Sequence, residues 1–334
     1  MPGGDQMLKK RQNQILKLIV ESYVKQAKPV SSNQICKILK CSSATVRSEM
    51  AFLEEEGLLE KTHTSSGRIP SEEGYRYYVD NLLEPKKMNG EDMLKLQIIF
   101  HNQSLELSDC IAKSLQVVSD MTSYTAVVLG KASHDNLLKE INVVPLSTNQ
   151  MIVIVVTDKG KVEHKTITLE NVSLDEVKKT VDLINHLIVG TPIDEVSTKL
   201  EFEIKPIIGQ YVKQHEQLYN AIYHVFNDFA SPDINVVGRT KFLEQPEFSN
   251  VEKIKHLFSK LKEEDLLQEI KQDDSNNIEV YIGKENNIDE DVTIIKTNFK
   301  TDSEEGTLAV IGPKRMEYDR VMSMLKFIKE NIER

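Results

Sequence analysis

Apolar residues recur at helical spacing in three successive stretches at the start of the chain. The third stretch, residues 43–56, places Val46, Met50 and Leu53 at positions i, i+4 and i+7, which predicts a helix with one buried stripe. Gly57 is expected to end that helix. The buried faces expected for the first two helices, 8–27 and 31–39, consist of Ile15, Leu18, Ile19, Val24, Ile35, Ile38 and Leu39.

Short polar segments separate these helices and indicate where each begins. Pro29 interrupts the first helix, and Ser31 with Gln34 three residues later predicts a capping box at the start of the second. Residues 58–62 have the composition of a strand, and the tip at 63–68 is small, hydroxylated and basic. Two short helices, a tight turn and a β-wing together predict a winged helix-turn-helix.

A further helix, 72–83, is expected after the wing, with Ser71 at its start. It carries three tyrosines, which we expect to pack this helix against the winged helix-turn-helix rather than to stack on nucleic-acid bases. The Pro- and Lys-containing stretch 85–90 is typical of a linker.

Beyond the linker the period of the pattern changes twice. A helical pattern over 91–120 gives way to β-type runs, of which 151–156 is apolar enough to predict a central strand buried on both faces. Asp158-Lys159-Gly160 predicts a tight hairpin. Helical spacing returns over 173–230. The β-type runs on the two sides of this helical block are 125–130, 141–145, 151–158, 161–169, 234–238, 278–283, 292–299 and 307–311, with helices expected at 251–262, capped by Ser249, and at 316–332.

Strands before and after a helical block predict one α+β sheet domain interrupted by an inserted helical unit. The predicted fold class is therefore α+β and multidomain. We expect a winged-helix domain with its linker at 1–88, a discontinuous sheet domain at 89–168 and 231–334, and the helical insertion at 169–230.

The charge of the chain is distributed unevenly. The net charge is −10, yet residues 7–50 hold nine Lys or Arg against two Asp or Glu, whereas residues 85–334 hold 30 against 41. A basic N-terminal end on an acidic remainder is typical of a DNA-binding protein with a regulatory part. A solvated helix face would account for the basic residues of the first helix but less well for the wing. The sequence has neither a membrane-spanning apolar run nor a signal-type leader, so we expect a cytoplasmic protein.

The sequence contains no arrangement of residues typical of catalysis, metal binding or nucleotide binding. Its three cysteines lack metal-ligand or redox spacing. We therefore expect no cofactor, no metal and no enzymatic activity. The Gly312–Met316 turn could bind an anion at a helix N-terminus, or could be a tight turn whose basic side chains lie in solvent, which we favour.

The side of helix 43–56 opposite its buried stripe is short and polar, with one arginine, and could approach a base edge. We expect Arg47 to contact a base, ideally guanine. Ser43, Thr45 and Ser48 would contact neighbouring phosphates or bases. The residues expected to hold the DNA backbone, or to enter the adjacent minor groove, are Lys40, His63, Ser65 and Arg68.

Two blocks of the sequence resemble the heat-inducible transcription repressor family, HrcA. The first block, within residues 43–80, comprises Ser43–Arg47, Glu49, Met50, Leu53, Gly57, His63–Ser65, Gly67–Pro70, Gly74–Arg76 and Tyr78–Asp80. The second comprises Pro246–Phe248, Ile282–Asn286 and Ile311–Tyr318. The chain departs from the pattern at Ser71 and Lys314, where the family usually or often has threonine.

The resemblance implies a winged-helix domain, a GAF-like domain and a helical dimerising insertion. It also implies a homodimer that represses chaperone operons by binding an inverted-repeat operator in double-stranded DNA. In that family the GroEL chaperonin is thought to keep the repressor active until heat-damaged proteins occupy it. Two alternatives remain open at this stage: a repressor controlled by a small effector bound to the GAF-like domain, and an enzyme whose winged helix contacts other proteins.

Overall fold

The computed structural model describes residues 8–62, 67–84, 88–102, 104–105, 107–132, 136–168, 173–207, 216–230, 233–262, 266, 268–270, 275, 277–302 and 304–334. We call residues 8–84 the winged unit, residues 136–230 the inserted unit, and residues 88–132 with 233–334 the body.

The winged unit consists of four helices and a two-stranded antiparallel wing. Its elements are α1 (Lys10–Gln26), α2 (Ser32–Leu39), α3 (Ser43–Glu55), β1 (Leu59–Lys61), β2 (Arg68–Pro70) and α4 (Glu72–Tyr77), and α4 continues as a π-helical turn over Tyr78–Leu82. The predicted winged helix-turn-helix is therefore present.

Side-chain caps fix the starts of three of these helices. Ser31 and Gln34 form the predicted capping box, and Ser42 and Ser71 accept hydrogen bonds from the backbone N–H groups of Thr45 and Gly74. Gly57 follows α3 with φ +77°, the left-handed conformation that glycine adopts without strain. The chain thus leaves α3 in the direction of the wing.

The buried face of the first two helices differs in part from the prediction. Ile15, Ile19 and Ile35 are fully buried, but Ile38 is 55% exposed, so its assignment to the core was wrong. Ile38 lies about 60° around the helix from Ile35, and Leu39 lies about 40° from it in the opposite direction. It is Leu39 that packs against the core. Leu16 and Val20 of α1, which the prediction omitted, are fully buried.

The remaining helices and strands belong to the body and the inserted unit. In chain order they are α5 (Gly90–Phe100), α6 (Leu107–Thr122), β3 (Thr125–Ala132), β4 (Leu138–Pro145), β5 (Gln150–Thr157), β6 (Val162–Thr168), α7 (Leu174–Ile188), α8 (Val196–Lys199), α9 (Lys205–Ile207), α10 (Glu216–Ala230), β7 (Asp233–Val237), α11 (Val251–Lys260), β8 (Glu279–Ile282), β9 (Val292–Lys300), β10 (Glu304–Pro313) and α12 (Tyr318–Ile332). Short π- or 3-10 turns lie at Leu200–Ile204, Arg239–Glu244, Pro246–Phe248 and Gly283–Glu285.

These strands form two separate sheets, which corrects the prediction of a single one. The body sheet is antiparallel with the order β7-β3-β10-β9-β8, whereas β4, β5 and β6 form their own three-stranded antiparallel sheet. The hairpin predicted at residues 158–160 does join β5 to β6. Because β5 has a helical layer on one face only, its burial alternates, and the prediction of a strand buried on both faces was also wrong.

The helical pattern predicted over 91–120 is present as two helices, α5 and α6. The cap of α11 is Asn250, whose side chain accepts a hydrogen bond from the N–H of Glu252, and not Ser249. Residues 85–87 of the predicted linker lie outside the described residues.

The apolar side chains pack into three clusters. The inserted unit has its own core between its sheet and α7–α10. One face of the body sheet packs against α11 and the neighbouring 3-10 turns. The other face packs against α6 and α12, and this cluster continues without a break into the winged unit through Tyr75, Tyr78 and Tyr318. The winged unit and the body therefore share one core.

Candidate nucleic-acid interface

Helix α3 presents one fully exposed face. Val46, Met50 and Leu53 are buried, as predicted, while Ala44, Arg47, Ser48 and Ala51 are exposed on the opposite side. Since this face combines two alanines with a serine and an arginine, no bulky side chain would keep the helix away from a DNA groove.

The first turn of α3 carries three hydroxyl groups with different partners. The Ser42 hydroxyl accepts a hydrogen bond from the Thr45 N–H at 3.1 Å and lies 2.8 Å from the Thr45 hydroxyl. The Ser43 hydroxyl donates to the Asn33 side-chain oxygen at 3.4 Å. Of the two predicted contact residues in this turn, Thr45 is thus engaged in capping, whereas Ser43 faces the start of α2.

The start of α2 adds two residues that the sequence analysis did not single out. The Arg47 Nε donates to the Ser32 hydroxyl at 3.4 Å, and Asn33 is exposed beside Ser43. The N-termini of α2 and α3, each with unpaired backbone N–H groups and a partial positive charge, therefore lie side by side. The sequence signal for these residues was their position directly after the Ser31 cap.

Lys40 ends α2 and leaves its side chain in solvent. Its backbone is left-handed, with φ 51°, so it forms the turn between α2 and α3 as well as carrying a positive charge. The expected contact of Lys40 with the DNA backbone stays a prediction.

The wing is attached to α3 by an ion pair. The Arg68 Nε donates to the Glu54 Oε2 at 2.7 Å, and a terminal guanidinium nitrogen of Arg68 lies 2.6 Å from the same oxygen. The Arg68 side chain is only 16% exposed. A phosphate contact by this residue therefore has to compete with Glu54. The other two wing residues of the prediction, His63 and Ser65, lie outside the described residues.

A buried amide connects α1 to the middle of α3. The Gln12 side chain accepts from the Lys9 N–H at 2.8 Å and donates to the Glu49 carboxylate at 3.0 Å. Gln12 is buried and Glu49 is half-buried, so this hydrogen bond is partly protected from water and links α1 to α3.

The tyrosines after the wing are packing residues, as predicted, and two of them also contact the body. The ring centroids of Tyr75 and Tyr78 lie 6.1 and 6.3 Å from that of Tyr318 in α12. Burial raises the pKa of Tyr75 and Tyr78 above the usual 10.0, so both phenols are neutral at physiological pH. The Tyr77 hydroxyl donates to the Asn13 side-chain oxygen and accepts from the Leu8 N–H, both within the winged unit.

The basic residues of the Gly312–Met316 turn are paired within the protein, so the interpretation that we favoured, with these side chains in solvent, was wrong. Arg315, 13% exposed, forms an ion pair with Glu247 and donates to the Gln245 side-chain oxygen at 2.9 Å. The ammonium group of Lys314 lies 3.6 Å from the Asp291 carboxylate.

In the part of the chain that the structure describes, no helix is both long and apolar enough to cross a membrane. Nor do three or more His, Cys, Asp or Glu side chains there come together in a group that could hold a metal ion.

Almost the whole chain is similar to known proteins. Residues 108–322 match the HrcA protein C terminal domain, and residues 11–71 match the DeoR-like helix-turn-helix domain. The heat-inducible transcription repressor HrcA of Bacillus pumilus (strain SAFR-032) is 35% identical over 333 residues, which cover 98% of this chain and 97% of that protein.

Two solved structures also align with nearly the whole length of this chain. A hypothetical protein whose crystal structure was determined at 2.2 Å has a TM-score of 0.64 and 21% identity, with 98% of both chains covered, so it has the same fold. Pseudomonas aeruginosa HmgR covers 97% of this chain and 95% of its own at 12% identity, with a TM-score of 0.22. The two domain matches and the full-length relative agree with an N-terminal helix-turn-helix on a GAF-like α+β body. The chain belongs to the HrcA family of heat-inducible transcription repressors.

Proposed function

We propose that this repressor binds an inverted-repeat operator as a homodimer, with α3 of each protomer in a major groove. The observation that carries the proposal is the exposed face of α3, small and polar and flanked by the N-termini of α2 and α3. A two-fold dimer presents two such helices in opposite directions, so its operator is palindromic.

Within each half-site we assign the base contact to Arg47. Its guanidinium can donate two parallel hydrogen bonds to a guanine. Its hydrogen bond to Ser32 already restricts the side chain, so that DNA binding costs less conformational entropy. Ser43, Ser48 and Lys40 would contact phosphates, together with the backbone N–H groups at the start of α2. Thr45 would contribute through the shape of the first turn.

We assign dimerisation to the inserted unit. Its surface exposes several large apolar side chains, among them Phe202 at 74%, Val144 and Leu146. Exposed apolar groups on a unit that has its own core favour contact with another protein surface. We place the boundaries of this unit at 136–230, since β4–β6 pack with α7–α10 rather than with the body sheet.

We further propose that the GroEL chaperonin maintains the active state. Membership of the HrcA family supports this assignment, as does the exposed apolar surface that a chaperonin can bind. If GroEL favours the DNA-competent conformation, unfolded proteins that occupy GroEL would lower the active fraction by mass action. Repression would then fall on heating.

A titration of three DNA fragments tests the proposal. One carries an inverted repeat from a chaperone-operon promoter, one carries a single half-site, and one is scrambled, each at about 50 and about 200 mM salt because phosphate contacts depend on ionic strength. We expect tight binding to the inverted repeat alone, an increased active fraction with GroEL, and loss of that increase when an unfolded protein is added. Equal binding to the three fragments would overturn operator recognition, and an unchanged active fraction would overturn the role of GroEL.

A further inference from the structure

Several contacts join α4 of the winged unit to the edge of the body sheet. Arg76 forms an ion pair with Glu285, with its Nε 2.9 Å from Glu285 Oε1, and also donates to the carbonyl oxygen of Val280 in β8. The residues of each pair are more than 200 positions apart in the sequence. A guanidinium that bonds a carboxylate and a carbonyl at once fixes orientation as well as distance.

The turn after β8 fits closely against α4. The Glu72 carboxylate accepts a hydrogen bond from the Lys284 N–H at 3.1 Å. A Cβ atom at Gly283 would lie 2.2 Å from the Glu72 Oε2 and 3.0 Å from the carbonyl oxygen of Glu290, and the Gly283 φ is +54°. Only glycine is compatible with this approach and this backbone conformation.

A second arginine joins α1 of the winged unit to the body. Arg315, at the junction of β10 and α12, bonds Glu247 and Gln245 and also donates to the carbonyl oxygen of Val24 at 3.4 Å. Val24 lies in the last turn of α1, where backbone carbonyls lack helical partners and carry partial negative charge. Arg315 thus connects the body to the end of α1.

Both contacts adjoin the aromatic cluster of Tyr75, Tyr78 and Tyr318, since Arg76 directly follows Tyr75 and Arg315 precedes Tyr318 by three positions. The cluster resists separation of the two units, but apolar contacts are non-directional and tolerate rotation. The arginine contacts are directional, and Arg76 and Arg315 are 28% and 13% exposed. Together they oppose rotation of the winged unit on the body.

We propose that Arg76 and Arg315 are positioning residues for operator recognition. They hold the winged unit at a fixed angle to the body, and the angle sets the distance between the two α3 helices of a dimer. The separation of half-sites that the repressor accepts is therefore encoded in contacts remote from the α3 face. The inference rests on the proposed dimeric binding of an inverted repeat.

The test measures affinity against half-site separation for the full-length protein. Wild type and the variant Arg76→Ala/Arg315→Ala are titrated with operators whose half-sites are moved apart in single base-pair steps, and with a lone half-site. The matched control is Lys326→Ala, which removes the cation of an exposed ion pair with Glu330 elsewhere on α12. If the double variant does not fold, Glu285→Gln and Glu247→Gln, which remove one charge each and keep similar volume, replace it.

We expect the variant to bind the lone half-site as wild type does, to lose about tenfold or more in affinity for the optimal operator, and to show a flattened separation profile. The loss arises because a loosely held second winged unit is present at its half-site at a lower effective concentration. Lys326→Ala should behave as wild type.

Two results would overturn the inference alone. One is a variant whose separation profile keeps the wild-type maximum and width while wild type prefers the inverted repeat. The other is a parallel loss of half-site affinity, since the arginines would then act on the fold of the winged unit itself. A wild-type protein without preference for inverted repeats would overturn the proposed function, and the inference with it.

Discussion

Arg47 lies in α3 and Arg68 lies on the wing beside it, but the two side chains differ in exposure and in hydrogen-bond partner. Arg47 is exposed and has a neutral hydroxyl as its partner, whereas Arg68 is largely buried against the Glu54 carboxylate. A guanidinium with a neutral partner retains its full charge for DNA. One that is paired with a carboxylate contributes little net charge.

Arg47→Ala should weaken operator binding by about 1–3 kcal/mol and relax the preference at one base pair. Arg47→Lys is the matched control, because it keeps the charge but loses the two parallel donors. It should retain the salt dependence of the wild type and lose the base preference. Competition titrations with operators substituted at each position measure both quantities, and an unchanged preference in Arg47→Ala would contradict the assignment.

Glu54→Gln should raise sequence-independent DNA affinity by releasing the charge of Arg68. The slope of log K against log salt should steepen by about 0.9, the value for one additional phosphate contact. Adding Arg68→Ala to this variant should restore the wild-type slope. Filter binding to scrambled duplex at several salt concentrations provides the measurement, and a slope that stays the same in Glu54→Gln would show that Arg68 does not reach a phosphate.

The sequence allowed the exposed face of α3 to be predicted, but not the environment of Arg68. Val46, Met50 and Leu53 lie within two helical turns, so periodicity alone separates buried from exposed positions. The pairing of Arg68 with Glu54 spans 14 positions and depends on the path of the wing. Ile38 shows a different limit, since apolar character at helical spacing does not guarantee that a partner surface covers it.

At the scale of elements, Asp291 connects three parts of the body. It precedes β9, its carboxylate accepts from Lys253 of α11 at 2.6 Å, and it lies 3.6 Å from Lys314 after β10. Burial alone would raise the pKa of Asp291, but the hydrogen bond from Lys253 and the charges of Lys253 and Lys314 outweigh it. The net effect is a pKa below the usual 3.8.

This lowered pKa predicts a pH-dependent contribution to stability. Because the folded protein holds the proton of Asp291 less tightly than the unfolded chain, the contribution is complete above about pH 5 and disappears as the pH falls through 4 toward the folded pKa. Asp291→Asn should therefore lower the midpoint of thermal unfolding at neutral pH, with a difference that shrinks below about pH 4. Glu330→Gln, at an exposed position on α12, is the control. A difference that is the same at all pH values would contradict the prediction.

Strands were easier to predict than their partners. The hairpin of β5 and β6 closes through four residues, 158–161, so its pairing is local and was predicted correctly. The pairing of β3 with β10 and β7 joins residues that are more than 100 positions apart, and no local pattern distinguishes these partners from β4. The sequence therefore indicated the presence of β4–β6 but assigned them to the wrong sheet.

At the scale of the whole molecule, the distribution of cores predicts how the protein unfolds. Leu325 of α12 lies in the core shared by the winged unit and the body, and Ile184 of α7 lies in the separate core of the inserted unit. Each substitution to alanine should cost about 2–5 kcal/mol in its own core.

Hydrogen exchange followed by mass spectrometry distinguishes the two effects. Leu325→Ala should speed exchange in α3 and β9 together and leave β5 unchanged, whereas Ile184→Ala should speed exchange in β5 alone. Faster exchange in β9 without any change in α3 would contradict a core shared by the winged unit and the body.

The inserted unit leaves and rejoins the body at neighbouring strands. Gly130 of β3 and Asp233 of β7 are paired in antiparallel register. About a hundred residues therefore stand between β3 and β7, where a short hairpin loop could connect the two strands. A short turn could close β3 onto β7 directly, because antiparallel neighbours need only a few connecting residues. The body sheet could then accept a different insert, or none, without any change to its strand order.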